Sequence, residues 1–201
     1  MEREPTSPIP DGEVSTDLVH RAKDGDPKAW DALYLRYRDR LLLYTRCRLG
    51  PALRTRLQSE DILQSVFKDV VDDIDHFQPE GRDSFNRYLH VCVLNKIRKK
   101  FDYFKAQKRA GDVPLSDSML SRVPGDDDEL TYWDSALYEK LELCIGKLPE
   151  NMREVLFLRA FENQSHQEAA QALGKTPEAV SKLYNRALSR LGIAMSGIQD
   201  D

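Results

Sequence analysis

The chain has 201 residues, which is enough for one large domain or two small ones. Its net charge of −4, with 32% charged residues, argues against a protein that coats nucleic acid through charge alone. The N-terminus is acidic and no apolar stretch is long enough to cross a bilayer. The sequence therefore predicts no signal peptide and no membrane insertion, and it favours a cytoplasmic protein.

The three cysteines, Cys47, Cys92 and Cys144, are far apart and flanked by apolar residues. This pattern is typical of a reducing compartment and predicts no disulfide framework. His90 and Cys92 lie two positions apart, but no second pair of ligands follows them. We therefore expect no metal site and no cofactor.

The N-terminal part of the chain is predicted to be a proline-rich disordered tail over residues 1–14, followed by a helical domain over 15–108. A helix capped by Ser15 or Thr16 ends near Ala22, and Pro27 begins a second helix that runs to about Leu49. A third helix begins at Ser59, and a long fourth helix runs from Asp83 to Lys108. Its predicted buried side consists of Phe85, Tyr88, Leu89, Cys92, Val93, Ile97, Phe101 and Phe104.

Residues 109–134 differ in composition from both flanking segments. They contain Gly111, Pro114, Pro124, several serines and the acidic run from Asp126 to Glu129. This composition predicts a flexible linker between two domains.

The C-terminal block, residues 135–195, is predicted to contain four helices. Ser165 and Glu168 form a capping box before a short helix, and Gly174 ends that helix in a left-handed turn. Thr176 then caps the last helix, with Pro177 in its first position. A short helix, a glycine turn and a longer amphipathic helix together form a helix-turn-helix pattern. The predicted fold class is therefore all-α: two small helical domains joined by a flexible linker.

The last helix is predicted to have one apolar and one polar face. The apolar face consists of Val180, Leu183, Ala187, Leu188 and Leu191. The opposite face consists of Glu178, Ser181, Lys182, Asn185, Arg186, Ser189 and Arg190. Lysine and arginine pair with guanine, and asparagine pairs with adenine, so this face suits base recognition in a DNA groove. The alternative is an ordinary helical hairpin with a solvated face.

The predicted long helix in the first domain carries most of a basic cluster. From Arg82 to Arg109 there are nine lysines and arginines but only two acidic residues, Asp83 and Asp102. Positive charge interleaved with aromatic residues such as Tyr88 and His90 is typical of single-stranded DNA binding. The alternative is that the aromatic side chains lie in the core and the lysines are simply solvated.

Three segments, in this order, resemble the extracytoplasmic-function (ECF) family of bacterial RNA polymerase sigma factors. Residues 61–67 resemble the segment that contacts the polymerase clamp helices, and 85–89 with Asn95 resemble the segment that melts and reads the −10 element. Residues 148–149, 153–156 and 165–186 resemble the domain that binds the −35 element. Ser65 and Ser181 depart from the family pattern, which usually has glutamate at the first position and commonly arginine at the second, and Tyr88 lies where the family often has tryptophan.

The resemblance implies a promoter-recognition subunit that binds the clamp helices and flap of core RNA polymerase, and that is not an enzyme. Promoter DNA would be bound as duplex at −35 and melted at −10. The family is often held by an anti-sigma factor, and nothing in the sequence identifies one. The implied polymerase contacts are Asp61, Gln64 and Phe67. The implied DNA contacts are Tyr88, Asn95, Arg98, Lys99, Lys100, Thr176, Ser181, Lys182, Asn185 and Arg186.

Two other classes of function stay open on the residues alone. A standalone repressor or activator would use the same helix-turn-helix, but it normally needs a dimer interface or a ligand pocket, and the sequence shows neither. An enzyme could use acidic pairs such as Asp72 and Asp73. These two carboxylates fall on the solvated side of a helix, with no histidine cluster or glycine-rich phosphate loop nearby.

The predicted linker also has a geometric consequence. As a flexible coil, residues 109–134 span roughly 28–31 Å. Two DNA boxes two helical turns apart are separated by roughly 70 Å. The free chain therefore needs a scaffold to hold its two domains apart, and the resemblance suggests core RNA polymerase for that role.

Overall fold

The computed structural model describes residues 13–49, 51–54, 56–80, 83–110 and 135–197. Within these ranges the secondary structure is helical. The helices are α1 (Glu13–Lys23), α2 (Pro27–Arg48), α3 (Pro51–Arg54), α4 (Ser59–Asp73), α5 (Ser84–Ala110), α6 (Ser135–Gly146), α7 (Glu150–Leu156), α8 (His166–Leu173) and α9 (Pro177–Ser196). A 3₁₀ turn over Ile74–His76 extends α4, and a π-helical turn over Phe157–Phe161 extends α7.

The N-terminal block consists of α1 to α5, and its centre is α2. The side chain of Asp26 accepts a hydrogen bond from the amide of Lys28 at 2.9 Å, and Pro27 occupies the first turn, so α2 begins where the sequence predicts. Helices α1, α4 and α5 all pack against α2. Fully buried side chains such as Leu33, Val66 and Leu89 fill the space between the helices.

The C-terminal block consists of α6 to α9 and contains the predicted helix-turn-helix. The hydroxyl of Ser165 accepts from the amide of Glu168 at 3.1 Å, and a Glu168 carboxylate oxygen accepts from the Ser165 amide at 2.6 Å. Gly174 has φ = 61°, the left-handed conformation that glycine adopts without strain. Thr176 caps α9 by accepting from the amide of Ala179 at 3.2 Å. The predicted capping box, glycine stop and N-cap are all confirmed.

Several helix boundaries differ from the predicted ones. Helix α1 begins at Glu13, the short α3 has no counterpart among the predicted helices, and α7 passes into a π-helical turn. Residues 1–12 of the predicted tail and 111–134 of the predicted linker lie outside the described residues.

The two blocks pack directly against each other. Helix α2 contacts α6 and the π-helical turn. The buried apolar side chains of the two blocks form one cluster. The sequence predicts two separate small domains, and their docking was not predicted from the residue pattern.

Three residues lie in different environments from those that their patterns predict. The sequence predicts Phe101 in the core, but it is 51% exposed, whereas Phe104, one turn later, is partly buried against the core. The sequence predicts Leu188 on the apolar face of α9, but it is 41% exposed, since Ala187 takes the inward position beside it. The sequence also groups His90 with Tyr88 as a DNA-facing residue, but His90 is completely buried.

Within the described ranges, no helix combines the length and apolar character needed to cross a membrane. The same part of the chain contains no group of three or more histidine, cysteine, aspartate or glutamate side chains placed to hold a metal ion.

Candidate nucleic-acid interface

Helix α9 presents a polar face to solvent, as its sequence predicts. Lys182, Asn185 and Arg186 are exposed, at a spacing of three and four residues that places them on one side of the helix. Ser181 is half-buried, and Thr176 is exposed at the helix N-terminus, where its hydroxyl is the cap. The two basic groups and the amide therefore project together from the N-terminal half of the helix, as major-groove readout requires.

The opposite side of α9 fixes the orientation of this face. Val180 and Ala187 are fully buried, seven residues and about two helical turns apart. Helix α9 packs against α7 and also against α8. The capping box orients α8, and the hydrogen bonds from Ser165 lower the pKa of Glu168. The helix-turn-helix is therefore rigid at the turn that aims α9.

Helix α5 provides a second basic surface. Asn95, Arg98, Lys99 and Lys100 are all exposed. Lys96 differs from them, because its ammonium nitrogen lies 2.5 Å from a carboxylate oxygen of Asp69 on α4 and its side chain is only 15% exposed. The positive charge available to a nucleic acid therefore begins near the middle of α5 and continues toward its C-terminal end.

Tyr88 lies in the buried first half of α5 and is only partly accessible. Its ring stacks on Phe77 with centroids 4.8 Å apart. Burial raises the pKa of the Tyr88 hydroxyl, and the nearby thiol of Cys92 raises it further. One side of the ring is thus already in contact with protein, so any base would stack only on what remains exposed.

The three residues predicted to contact polymerase do not share one surface. Asp61 and Gln64 are exposed on α4, but Phe67 is 7% exposed and packs edge-on against Tyr34 with ring centroids 4.9 Å apart. Six residues correspond to about 600° of helical rotation, which places Phe67 roughly 120° around the helix from Asp61. Phe67 is therefore a core residue beneath the surface that Asp61 and Gln64 form.

A comparison with protein families matches the C-terminal block. The family described as "Sigma-70, region 4" matches residues 138–191, a range that includes all of α7, α8 and the exposed face of α9. The match covers the helix-turn-helix that the capping residues define.

Comparisons with whole proteins extend over both blocks. The chain is 32% identical to the ECF RNA polymerase sigma factor ShbA of Streptomyces griseus over 184 residues, covering 87% of this chain and 91% of the relative. The chain belongs to the ECF family of RNA polymerase sigma factors. As a sigma factor, the protein directs transcription initiation by binding core RNA polymerase and recognising the −10 and −35 promoter elements.

Two further ECF-type relatives agree in coverage and fold. The sigma factor SigD of Mycobacterium tuberculosis is 29% identical over 181 residues, covering 90% of this chain and 83% of the relative. The solved structure of CnrH in complex with the cytosolic domain of CnrY covers 94% of this chain and all of that chain, with a TM-score of 0.51 and 22% identity. The latter likeness supports the all-α fold.

Placed on this sigma factor, the predicted DNA contacts fall into two groups. Asn95, Arg98, Lys99 and Lys100 lie together on α5, and Thr176, Ser181, Lys182, Asn185 and Arg186 lie together on α9. Tyr88 lies two turns before Asn95 on α5.

Sequence reasoning did not find the polar contacts between the two blocks. Arg40, Tyr44 and Arg48 recur every four residues along α2, a spacing that places them on one face. The sequence pattern does not predict these contacts, because the tyrosine fits an apolar helix stripe and the arginines fit a solvated helix face. Their partners lie more than 100 residues away. The available signal is that two arginines lie four residues before and four residues after a core tyrosine, on the same helix face.

Proposed function

We propose that Lys182, Asn185 and Arg186 of α9 read base edges of the −35 element, while Arg98, Lys99 and Lys100 of α5 bind phosphates of the opened −10 region. The single observation that carries this proposal is the exposed basic and amide face of α9, aimed by a capped helix-turn-helix. Groups at the N-terminal end of a recognition helix reach base edges, whereas basic groups beyond it contact the backbone.

The α5 surface supports a different kind of contact. Its three consecutive exposed cations, Arg98, Lys99 and Lys100, point in several directions around the helix, because successive residues are 100° apart. This arrangement favours attraction of a flexible, negatively charged strand over the paired hydrogen bonds that read one base. Asn95, one turn earlier, is the residue of this surface suited to a base contact.

The expected result for base readout is specific to Arg186. Arg186→Ala should cost about 1–3 kcal/mol of −35 binding and relax the preference at one or two positions of that element. The measurement is transcription by reconstituted holoenzyme on promoters randomised in both elements.

The matched control is Arg190→Ala, one helical turn further from the N-terminus of α9 and also exposed. It removes the same charge, so it should weaken binding to all promoters without changing the −35 preference. If the Arg186→Ala holoenzyme keeps its −35 preference, Arg186 does not read bases of that element.

We also propose that Asp61 and Gln64 contact core polymerase and that Phe67 supports them from the core. Asp61→Ala combined with Gln64→Ala should lower core affinity while leaving the free energy of unfolding within about 0.5 kcal/mol, because both side chains are exposed. Competition for core polymerase and urea unfolding are the two measurements. Lys68→Ala, also exposed on α4, is the control for a non-specific change of charge.

The chain is proposed to act in the cytoplasm, as a binding subunit that supplies no catalytic group of its own. Polymerase provides the chemistry in this scheme, and the sigma factor provides promoter choice. An anti-sigma partner stays a prediction from the family. A stable dimer that binds duplex promoter tightly without polymerase would instead support the repressor or activator alternative.

A further inference from the structure

Two distant segments of the N-terminal block meet through one lysine. Lys23 is the last residue of α1, and its ammonium group donates to the backbone carbonyls of Phe77 and, at 3.4 Å, of Asp75. These acceptors lie 54 and 52 positions further along the chain. The contact therefore connects the end of α1 to the end of the 3₁₀ turn that extends α4.

The carbonyls that Lys23 binds lie where the 3₁₀ turn ends. The last carbonyls of a helix have no partner within that helix, and a basic side chain can supply one. Phe77 leaves the turn with an extended backbone, and residues 77–80 form no regular secondary structure. The amide of Phe77 donates to the carbonyl of Ile74 at 3.0 Å. Lys23 therefore adds a second anchor, at the carbonyl, to a residue that begins an irregular segment.

The packing of α1 fixes the place from which Lys23 reaches this segment. Val19 and Ala22 are buried, and α1 packs against α2. Just after Lys23 the chain turns at Gly25, which has φ = 83° and whose amide donates back to the Ala22 carbonyl at 3.1 Å. The Lys23 side chain is itself half-buried. Its ammonium group is therefore presented by a firmly packed helix end.

The ring of Phe77 carries this anchoring to α5. It stacks on the ring of Tyr88, with centroids 4.8 Å apart and an interplanar angle of 29°, and it meets Phe85 edge-on at 5.5 Å. Phe85 is 3% exposed, whereas Phe77 and Tyr88 are only partly buried. The three rings thus run from the core to the surface, and Tyr88 is the one predicted to contact DNA.

A stacked base needs an aromatic ring whose face is both open and fixed in direction. Single-stranded nucleic acid is bound by such faces beside basic groups. Phe77 occupies one face of Tyr88, so the place of the Phe77 ring determines the tilt of Tyr88 and which face stays open. A shift of the Phe77 backbone would release this tilt. The anchor of that backbone is therefore an indirect determinant of DNA binding.

We propose that Lys23 is a positioning residue for the opened −10 strand. By holding the Phe77 carbonyl, it keeps the Phe77 ring on one face of Tyr88 and leaves the other face to one unpaired base. Lys23 acts through Phe77 and does not touch DNA itself. This role rests on the proposed function, in which α5 binds the opened −10 region, and it adds a residue of α1 to that surface.

The first test needs neither polymerase nor DNA. Lys23→Met removes the donor but keeps most of the side-chain stem. In NMR spectra of tyrosine-labelled protein, the Tyr88 ring signals should lose the shift caused by the stacked Phe77 ring and move toward those of Phe77→Leu. Lys23→Arg should restore the parent signals, because a guanidinium can donate to both carbonyls. Unchanged Tyr88 signals in Lys23→Met would overturn the positioning role.

The matched control is Arg21→Met, two residues earlier on the same helix. Arg21 forms an exposed ion pair of 2.6 Å with Asp26, so this variant removes one positive charge and one polar contact without touching the Phe77 carbonyl. It should keep the Tyr88 signals and the DNA binding of the parent. A change equal to that of Lys23→Met would overturn the proposal, since charge near α1 would then be the cause.

The second test measures DNA binding by reconstituted holoenzyme. Lys23→Met should weaken binding to a single-stranded −10 oligonucleotide about fivefold or more, the smallest factor expected for one base–aromatic stack. Binding to a duplex that carries only the −35 element should stay unchanged. The slope of log affinity against log salt should also stay unchanged. A slope shallower by about 0.7 would show that Lys23 binds a phosphate itself, which contradicts the proposal.

Phe77→Leu approaches the same ring from the other side and serves if Lys23→Met does not fold. It should weaken −10 binding similarly, and adding Lys23→Met to it should have little further effect, because both changes act through one ring. Additive losses in the double variant would overturn the route through Phe77. The phosphate contacts proposed for Lys99 and Lys100 are removed by different substitutions, so a failure at Lys23 and a failure of that assignment give different results.

Discussion

Helices α5 and α9, the two helices assigned to promoter DNA, are anchored in opposite ways. The first half of α5 is part of the core, with Leu89 and Val93 fully buried, whereas all residues from Arg98 to Tyr103 are exposed. Helix α9 has only Val180 and Ala187 fully buried and keeps an exposed polar face along most of its length. Helix α5 passes from buried at its first half to exposed at its second half, whereas α9 is buried on one side and exposed on the opposite side.

This difference determines what each helix can recognise. An exposed helix end offers charge in several directions, which suits a flexible single strand and its phosphates. A rigid face with aligned side chains suits the groove of a duplex, where hydrogen bonds must meet base edges in register. The anchoring of each helix is therefore consistent with melted DNA at −10 and duplex DNA at −35.

The largest expected effect tests the anchoring of α5 against that of α9. Leu89→Ala removes a fully buried side chain and should lower the free energy of unfolding by about 2–5 kcal/mol. Leu188→Ala on α9 removes a side chain that is 41% exposed and should cost well under 2 kcal/mol. Urea unfolding of the two variants measures both values. Equal losses of unfolding free energy in the two variants would contradict the difference in anchoring between α5 and α9.

A smaller effect concerns the buried histidine of α5. The pKa of His90 falls from its ordinary 6.5 to about 4, mainly because the ring is buried; the hydrogen bond to the Asn86 carbonyl opposes this shift, and the charges of Arg40 and Arg48 add to it. The folded protein therefore favours the neutral imidazole of His90. The contribution of this group to the free energy of unfolding is complete above pH 6.5 and is lost as the pH falls toward 4. At about 1.4 kcal/mol per pH unit, the loss between pH 6.5 and 5 is about 2 kcal/mol.

The measurement is urea unfolding at pH 7.5 and pH 5 for the parent and for His90→Phe. The phenylalanine variant should lose this part of the pH dependence, while Tyr44, Glu162 and the two arginines around the site remain. Identical pH dependence in the parent and His90→Phe would show that the site does not titrate as described.

The smallest expected effect concerns the exposed end of α5. Lys99→Ala combined with Lys100→Ala should weaken binding to all promoters about equally. If both lysines contact phosphate, the slope of log affinity against log salt becomes shallower by about 1.4–1.8. The free energy of unfolding of the protein should change little, because both side chains are exposed. Holoenzyme binding to several promoters at a series of salt concentrations measures the slope, and a changed −10 preference would contradict the phosphate role.

Much of the secondary structure was predictable because its signals are local. The capping box of Ser165 and Glu168, the left-handed Gly174 and the Thr176 cap each act over at most three residues. Such contacts form in any context where the helix forms, so a residue pattern is enough to identify them. The exposed face of α9 follows from the same periodicity.

The residues whose environment differs from the predicted one lie on helix stripes that are buried unevenly. Phe101 belongs to the apolar stripe of α5 but is exposed, although Phe104, one turn later, is partly buried against the core. Phe67 belongs to a motif that implied polymerase contact, but six residues of helical rotation carry it into the core beside Tyr34. Burial depends on what packs against each turn, which a sequence period does not contain.

By itself, the sequence determined most of the helices, the caps of α2, α8 and α9 and the polar face of α9, because each depends on residues a few positions apart. Only the tertiary structure decided that the two blocks dock, that His90 is enclosed and that Tyr44 meets Glu162 across 118 positions of the chain. Such contacts depend on which surfaces the folded helices leave free for one another. That choice is made by the packing of whole blocks, and no local pattern of residues encodes it.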